Sequence, residues 1–141
     1  YKSPDASAIA DNANLDFLIT VGATRAHFTF EAACGGDAEI ILYESPTTSA
    51  NGTALTVANM NRNAISSGPT AAAYHTPTVT GVGNQLSIAL LPGGTRNQAS
   101  GGTARADTEW ILRTNTNYLL RLTNRAGSAQ PASIIVQWYE K

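Results

Sequence analysis

The residues of this chain best suited to chemistry are two histidines, one cysteine and two closely spaced pairs of acids. Nucleophilic catalysis needs a nucleophile, a base to take its proton and a group to orient that base. Cys34 stands beside Gly35 and Gly36, with no His–Asp pair near it in sequence. It reads as a semi-buried structural thiol. His27 shares the polar side of a strand pattern with Arg25 and Glu31, and His75 precedes Thr76 and Pro77. Both read as surface or capping histidines rather than bases. No Gly-x-Ser-x-Gly elbow is present. Asp37 with Glu39, and Asp107 with Glu109, sit two apart and so share a strand face. Either pair could touch one cation, but neither has the His pair or loop pattern of a metal site. Facing each other they would imitate the two carboxylates of a glycosidase, and nothing in the sequence brings them together. Gly81-Val82-Gly83 lacks the third glycine and following helix of a dinucleotide fingerprint. Asn51-Gly52-Thr53 matches a glycosylation sequon, but Asn-Gly is also a preferred hairpin turn. The expectation is a non-enzyme with no catalytic residue, metal or cofactor.

The elements that would position these residues are strands, because the dominant period is two. In residues 25–32, Ala26, Phe28, Phe30 and Ala32 point one way and Arg25, His27, Thr29 and Glu31 the other. The same alternation recurs in 37–44, 117–124 and 133–140, where Trp138 falls on the apolar side. Weaker strands are expected at 15–21, 53–58, 70–75, 85–91 and 108–113. Turn residues separate them, among them Asn51-Gly52, Gly68-Pro69 and Pro92-Gly93-Gly94. Eight or nine short antiparallel strands imply an all-β sandwich or jelly roll. Residues 1–14 read as an N-terminal arm, with an Ala-rich helical turn or extended arm at 7–13. Residues 15–141 read as the single β-sandwich domain. Trp110 and Trp138 lie among aliphatic residues and read as core, and the tyrosines form no sugar platform.

Composition narrows the partners. The chain has 141 residues, enough for one domain with its own core. Only 13% of them are charged, about half the usual share, and the net charge is −1. With no basic excess to neutralise phosphates, nucleic acid is not an expected partner. No apolar run approaches the ~18 residues of a membrane helix, and no signal-peptide pattern opens the chain, so no membrane partner is expected. The start at Tyr1 reads as processed or cut from something longer. A lone cysteine rules out an intrachain disulfide and favours assembly in a reducing cell. Between Ser45 and Thr95 the only charged residue is Arg62, and the two lysines stand at Lys2 and Lys141. Arginine in place of lysine suits interfaces, because the planar guanidinium loses less on ordering. Two loops stand out as contact candidates: Asn59-Met60-Asn61-Arg62-Asn63, and the polar, glycine-flanked stretch from Gly93 to Arg105, which carries Arg96 and Asn97.

Several segments together resemble structural proteins of tailed bacteriophage virions, in particular a β-sandwich type that decorates heads. They are Ala38-Glu39-Ile40-Ile41-Leu42-Tyr43-Glu44-Ser45-Pro46-Thr47-Thr48-Ser49 with Asn51-Gly52-Thr53, Asn59-Met60-Asn61-Arg62-Asn63, and His75-Thr76-Pro77-Thr78-Val79-Thr80. Further along come Leu91-Pro92-Gly93-Gly94, Gly101-Gly102-Thr103-Ala104-Arg105, Glu109-Trp110-Ile111-Leu112 and Tyr118-Leu119-Leu120-Arg121-Leu122-Thr123-Asn124. The likeness runs over residues 15–139. It implies a decoration protein, made in the bacterial host cytoplasm, that binds the major capsid protein on the outer virion surface as a homotrimer. Asn59, Asn61, Arg62, Arg96, Asn97 and Arg105 are the contact residues expected from this sequence, with Arg96 and Arg105 pairing with carboxylates. The alternative is a fibre or tail tip domain that binds a host receptor or glycan. That reading calls for grouped aromatics or a calcium loop. A cell-wall hydrolase, a third reading, calls for a paired acid–base site.

Overall fold

The computed structural model describes residues 2–63, 68–93 and 109–141. Twelve strands lie among them: β1 (Lys2–Ile9), β2 (Asn14–Thr20), β3 (Ala26–Cys34), β4 (Ala38–Glu44), β5 (Thr47–Ala50), β6 (Thr53–Ala54), β7 (Ala72–His75), β8 (Thr78–Gly81), β9 (Asn84–Leu91), β10 (Trp110–Leu112), β11 (Asn117–Asn124) and β12 (Gln130–Glu140). The chain is all-β. The alternation sets the inner faces as expected: Ala26, Phe28, Phe30 and Ala32 are buried, as are Ile40 and Leu42, Tyr118 and Leu120, and Ile134, Val136 and Trp138.

The strands pair in nested order. β1 pairs with β12, β2 with β11, β3 with β10, β4 with β9, β5 with β8 and β6 with β7, always antiparallel. The whole chain is thus one long hairpin rolled up on itself. Its outer four pairs give the strand orders β1-β12-β3-β10 and β2-β11-β4-β9, which is the jelly-roll arrangement. The second sheet gains β7 and β6 on the far side of β2 and becomes six-stranded. One hydrophobic core fills the space between the sheets, with Phe17, Ile19, Phe28, Leu42, Leu120, Ile134 and Val136 at its centre.

The middle of the hairpin forms an arch. Next to β11, the Ser45 N–H donates to Asn117 O at 2.9 Å; next to β2, the Thr76 N–H donates to Asp16 O at 3.3 Å. These points lie toward opposite ends of the central β2–β11 pair and on opposite sides of it. The β5–β8 ribbon between them must therefore cross the outer face of the sheet diagonally. Leu18 and Leu119 are paired at the centre of that face, outside the core cluster, and both are 0% exposed. Tyr43-Glu44-Ser45-Pro46-Thr47 and Tyr74-His75-Thr76-Pro77-Thr78 form the two bends, with Ser45 and Thr76 both at positive φ. Gly52 (φ 88) and Gly83 (φ 84) follow each bend at the same spacing. A Cβ on Gly52 would strike the His75 carbonyl, and one on Gly83 the Glu44 carbonyl, so each bend needs the glycine of the other.

Three strands were not expected. β5 and β8 are built of Thr, Ser and Ala and show no apolar alternation to read. The stretch at 7–13, read as a helical turn or arm, instead continues β1 to Ile9 and turns at Asp11 and Asn12 into β2. Alanine and serine tolerate a helix, but the edge of β12 offers this segment a partner at each of eight positions.

Candidate interaction surface

The Asn59 loop lies at the tip of the hairpin. Its backbone returns to the start of the chain, where Lys2 and Ala58 exchange two hydrogen bonds of 3.0 Å. Asn59 Oδ1 accepts from Asn61 N at 2.9 Å, and Asn61 Oδ1 from Asn63 N at 3.2 Å. Each asparagine thereby closes a local turn, which explains their spacing of two. Asn61 and Arg62 are exposed and Asn59 half-buried. Arg96, Asn97 and Arg105 lie outside the described residues, so Asn59, Asn61 and Arg62 are the expected contact residues the structure brings together.

That loop borders a shallow cleft of about 340 Å³ against the outer face of the four-stranded sheet, lined by Met60, His27, Thr29, Glu109, Gln137 and Tyr139 among others. His27 Nδ1 lies 3.0 Å from Glu109 Oε2, and its ring stacks on Tyr139 at 4.6 Å between centroids. Hydrogen bonds from His27 and Tyr139 hold the Glu109 carboxyl below its ordinary pKa. The same carboxylate raises the Tyr139 phenol, keeping it protonated. The trio clasps the entry of β10 to β12. Asp37 and Glu39, considered above as a cation pair, turn to different partners. Asp37 Oδ1 accepts from Gly93 N at 2.6 Å, and Glu39 pairs with Arg125 at 2.5 Å. Among the described residues no three His, Cys, Asp or Glu converge as metal ligands. Cys34 is buried and reduced.

The six-stranded sheet carries a second surface that the sequence reading passed over. On its outer face Asp16 and Arg121 form a two-point ion pair, with bonds of 2.8 and 2.7 Å. Asp16 raises the pKa of the Arg121 guanidinium through these bonds. Beside them stands the Glu39–Arg125 pair, so both acids on this part of the face are matched within the chain. Next to these rows runs β9, the edge of the sheet. Its register sets Ile88 opposite Ile41 and Leu90 opposite Glu39, both on the outer side. Ala89 and Leu91 pair with the inward Ile40 and Ala38. Leu90 is 75% exposed and Ile88 52%, and Leu86 at the bulge is also exposed. The usual pattern is inverted, with large aliphatic residues outside and the smaller Ser87 and Ala89 inside. The sequence marks 85–91 as a strand, and only its register against β4 shows which side meets water.

Among the described residues these features define a jelly-roll sandwich with two open outer surfaces. No family model matches this chain, and no curated protein or solved structure matches it either.

Proposed function

We propose that this chain is a structural virion protein that binds the outer surface of a phage capsid and stabilises it. The observation that carries the reading is the outer face of the six-stranded sheet. There Ile88 and Leu90 stand in water beside charges already neutralised in pairs. Such a face costs little to desolvate and gains by burial, which suits a protein that holds neighbours by area. The resemblance of residues 15–139 to head-decoration proteins points the same way, and jelly rolls recur in viral capsid and lectin domains, though fold alone does not fix function. Asn59, Asn61 and Arg62 supply a polar contact at the hairpin tip. A protein that binds only the assembled shell stabilises it by mass action, by ~2.7 kcal/mol per site at a hundredfold excess over Kd.

The test is reconstitution. Particles stripped of the protein are imaged before and after adding it back, and their thermal rupture is followed. Density on the shell and a higher rupture temperature are expected. Arg62→Ala should lower occupancy while leaving the melting of the free protein unchanged. Density confined to the tail or fibres would overturn the decoration reading. It would favour the second, a tip domain binding a receptor or glycan, for which the amide-lined cleft beside Tyr139 speaks.

A further inference from the structure

Edge strands expose unpaired N–H and C=O groups, and proteins that stay monomeric blunt them. The two sheets of this sandwich have four edges: β1, β10, β6 and β9. β6 has two residues and β10 three. β1 carries Lys2, Pro4 and Asp5, and proline has no N–H to offer. β9 has eight residues, no charge and no proline, and spans ~27 Å. Its one irregularity is the bulge at Leu86, which leaves residues 87–91 in regular register. Among the described residues no strand pairs with its outer side.

We infer that β9 is a self-pairing edge, on which a second copy of this chain adds its own β9 antiparallel about a two-fold axis. The strand suits itself as a partner. An uncharged strand meets its copy without like-charge repulsion, which a Lys- or Glu-bearing edge would suffer. Pairing centred on Ala89 sets Ile88 of one copy beside Leu90 of the other, on the face where both are exposed. The contact is isologous and closes at two copies. The joined sheets form a continuous twelve-stranded layer, with both cores on the same side.

This inference does not rest on capsid binding, and it differs from the three-fold arrangement that the resemblance implies. Sedimentation equilibrium of the full chain, over a range of concentrations, should give twice the chain mass. Leu90→Lys and Ile88→Lys, at exposed positions, should each return it to the single-chain mass with the near-ultraviolet circular dichroism of the parent. Amide exchange along β9 should be protected in the parent and fast in Leu90→Lys. A parent that stays at the single-chain mass, or a trimer whose mass Leu90→Lys leaves unchanged, overturns the inference. So does a single-chain parent whose binding to particles is lost in Leu90→Lys, since the edge then belongs to a strand of the shell. A single-chain parent that still binds particles refutes self-pairing and leaves the proposed function standing.

Discussion

Asn124 ties the two sheets together, and replacing it with alanine tests whether a single buried amide does so. The side chain is 0% exposed. Its Nδ2 donates to Ile9 O at 3.0 Å, Ala10 O at 3.2 Å and Ser128 O at 2.7 Å, while Oδ1 accepts from Ala126 N at 3.0 Å. One amide at the end of β11 thus holds the end of β1 in the opposite sheet and the turn that leads into β12. Asn124→Ala removes all four contacts. The Ala10 carbonyl keeps a bond from Ala13 N, and Ser128 is exposed enough for water to replace its partner. The main losses fall on Ile9 O and Ala126 N. At about 1–3 kcal/mol for each group left unsatisfied, the expected destabilisation is about 3 kcal/mol. For a domain of this size that lowers Tm by roughly 10 °C, measured by calorimetry. Asn124→Asp sharpens the test. An ionised carboxylate would face carbonyl oxygens, whereas a protonated one can still donate a single bond. Its folded-state pKa must lie above the unfolded value. The variant should then be relatively most stable in acid and lose stability as pH rises through that folded pKa. A loss under ~0.5 kcal/mol for Asn124→Ala, the size of an ordinary surface change, would refute the tie between sheets.

Three further outcomes are expected. Tyr118 is buried, donates to Glu44 at 3.0 Å and accepts from Arg113 N at 2.9 Å, so Tyr118→Phe should cost about 1–2 kcal/mol in urea titration. Asp16→Ala leaves the Arg121 guanidinium, 20% exposed, without its two-point partner. A loss of about 1–2 kcal/mol is expected after allowing for solvent screening, largely recovered in Asp16→Ala/Arg121→Leu. Burial alone would raise the Glu140 carboxyl, but bonds from the N–H groups of Ala71 and Thr70, the Thr70 hydroxyl and the Trp138 indole outweigh it and hold the pKa below its ordinary value. A depressed carboxyl stabilises the fold above its unfolded pKa, near 4.3, and the stabilisation fades as pH falls through the folded pKa. Glu140→Gln should flatten that part of the acid-unfolding curve, and an unchanged curve would show that Glu140 does not contribute.

The sheets were legible wherever one face meets the core and the other meets water. β3 and β12 have that pattern, and their inward residues were read correctly. β11 was harder, because Leu119 is as deeply buried on the outer face as Leu120 on the inner one. The cause is the arch, a tertiary cover that no local period announces. Its bends were visible in principle as the repeated Tyr-x-(Ser/Thr)-Pro-Thr stretches at 43–47 and 74–78. Taken singly, each reads as a turn, and only the strand register shows that they fold toward one another. The candidate site divides in the same way. The spacing of Asn59, Asn61 and Asn63 marked a built loop, but His27, Glu109 and Tyr139 come from distant parts of the chain. The nested hairpin alone brings them together. β9 was legible as a strand, but its facing was not: only the register against β4 turns Ser87 and Ala89 inward and Ile88 and Leu90 outward.

The nested topology also decides how the two surfaces relate. The Asn59 cleft draws on outward residues of β3 and β12, His27, Thr29, Gln137 and Tyr139, in the four-stranded sheet. Ile88 and Leu90 point outward from the six-stranded sheet. Since the inner faces of the sheets meet in one core, the two surfaces look in opposite directions. Occupying one does not obstruct the other. A molecule held by its hairpin tip alone keeps its β9 edge available to a second copy. A pair joined there presents two tips at once. Two weak tip contacts then act together, with an effective concentration set by a rigid sheet rather than by a flexible linker. Loss of Leu90 should therefore weaken attachment of the pair more steeply than loss of Arg62 weakens attachment of a single tip. If both variants lowered occupancy equally, the two surfaces would not be coupled through the sandwich.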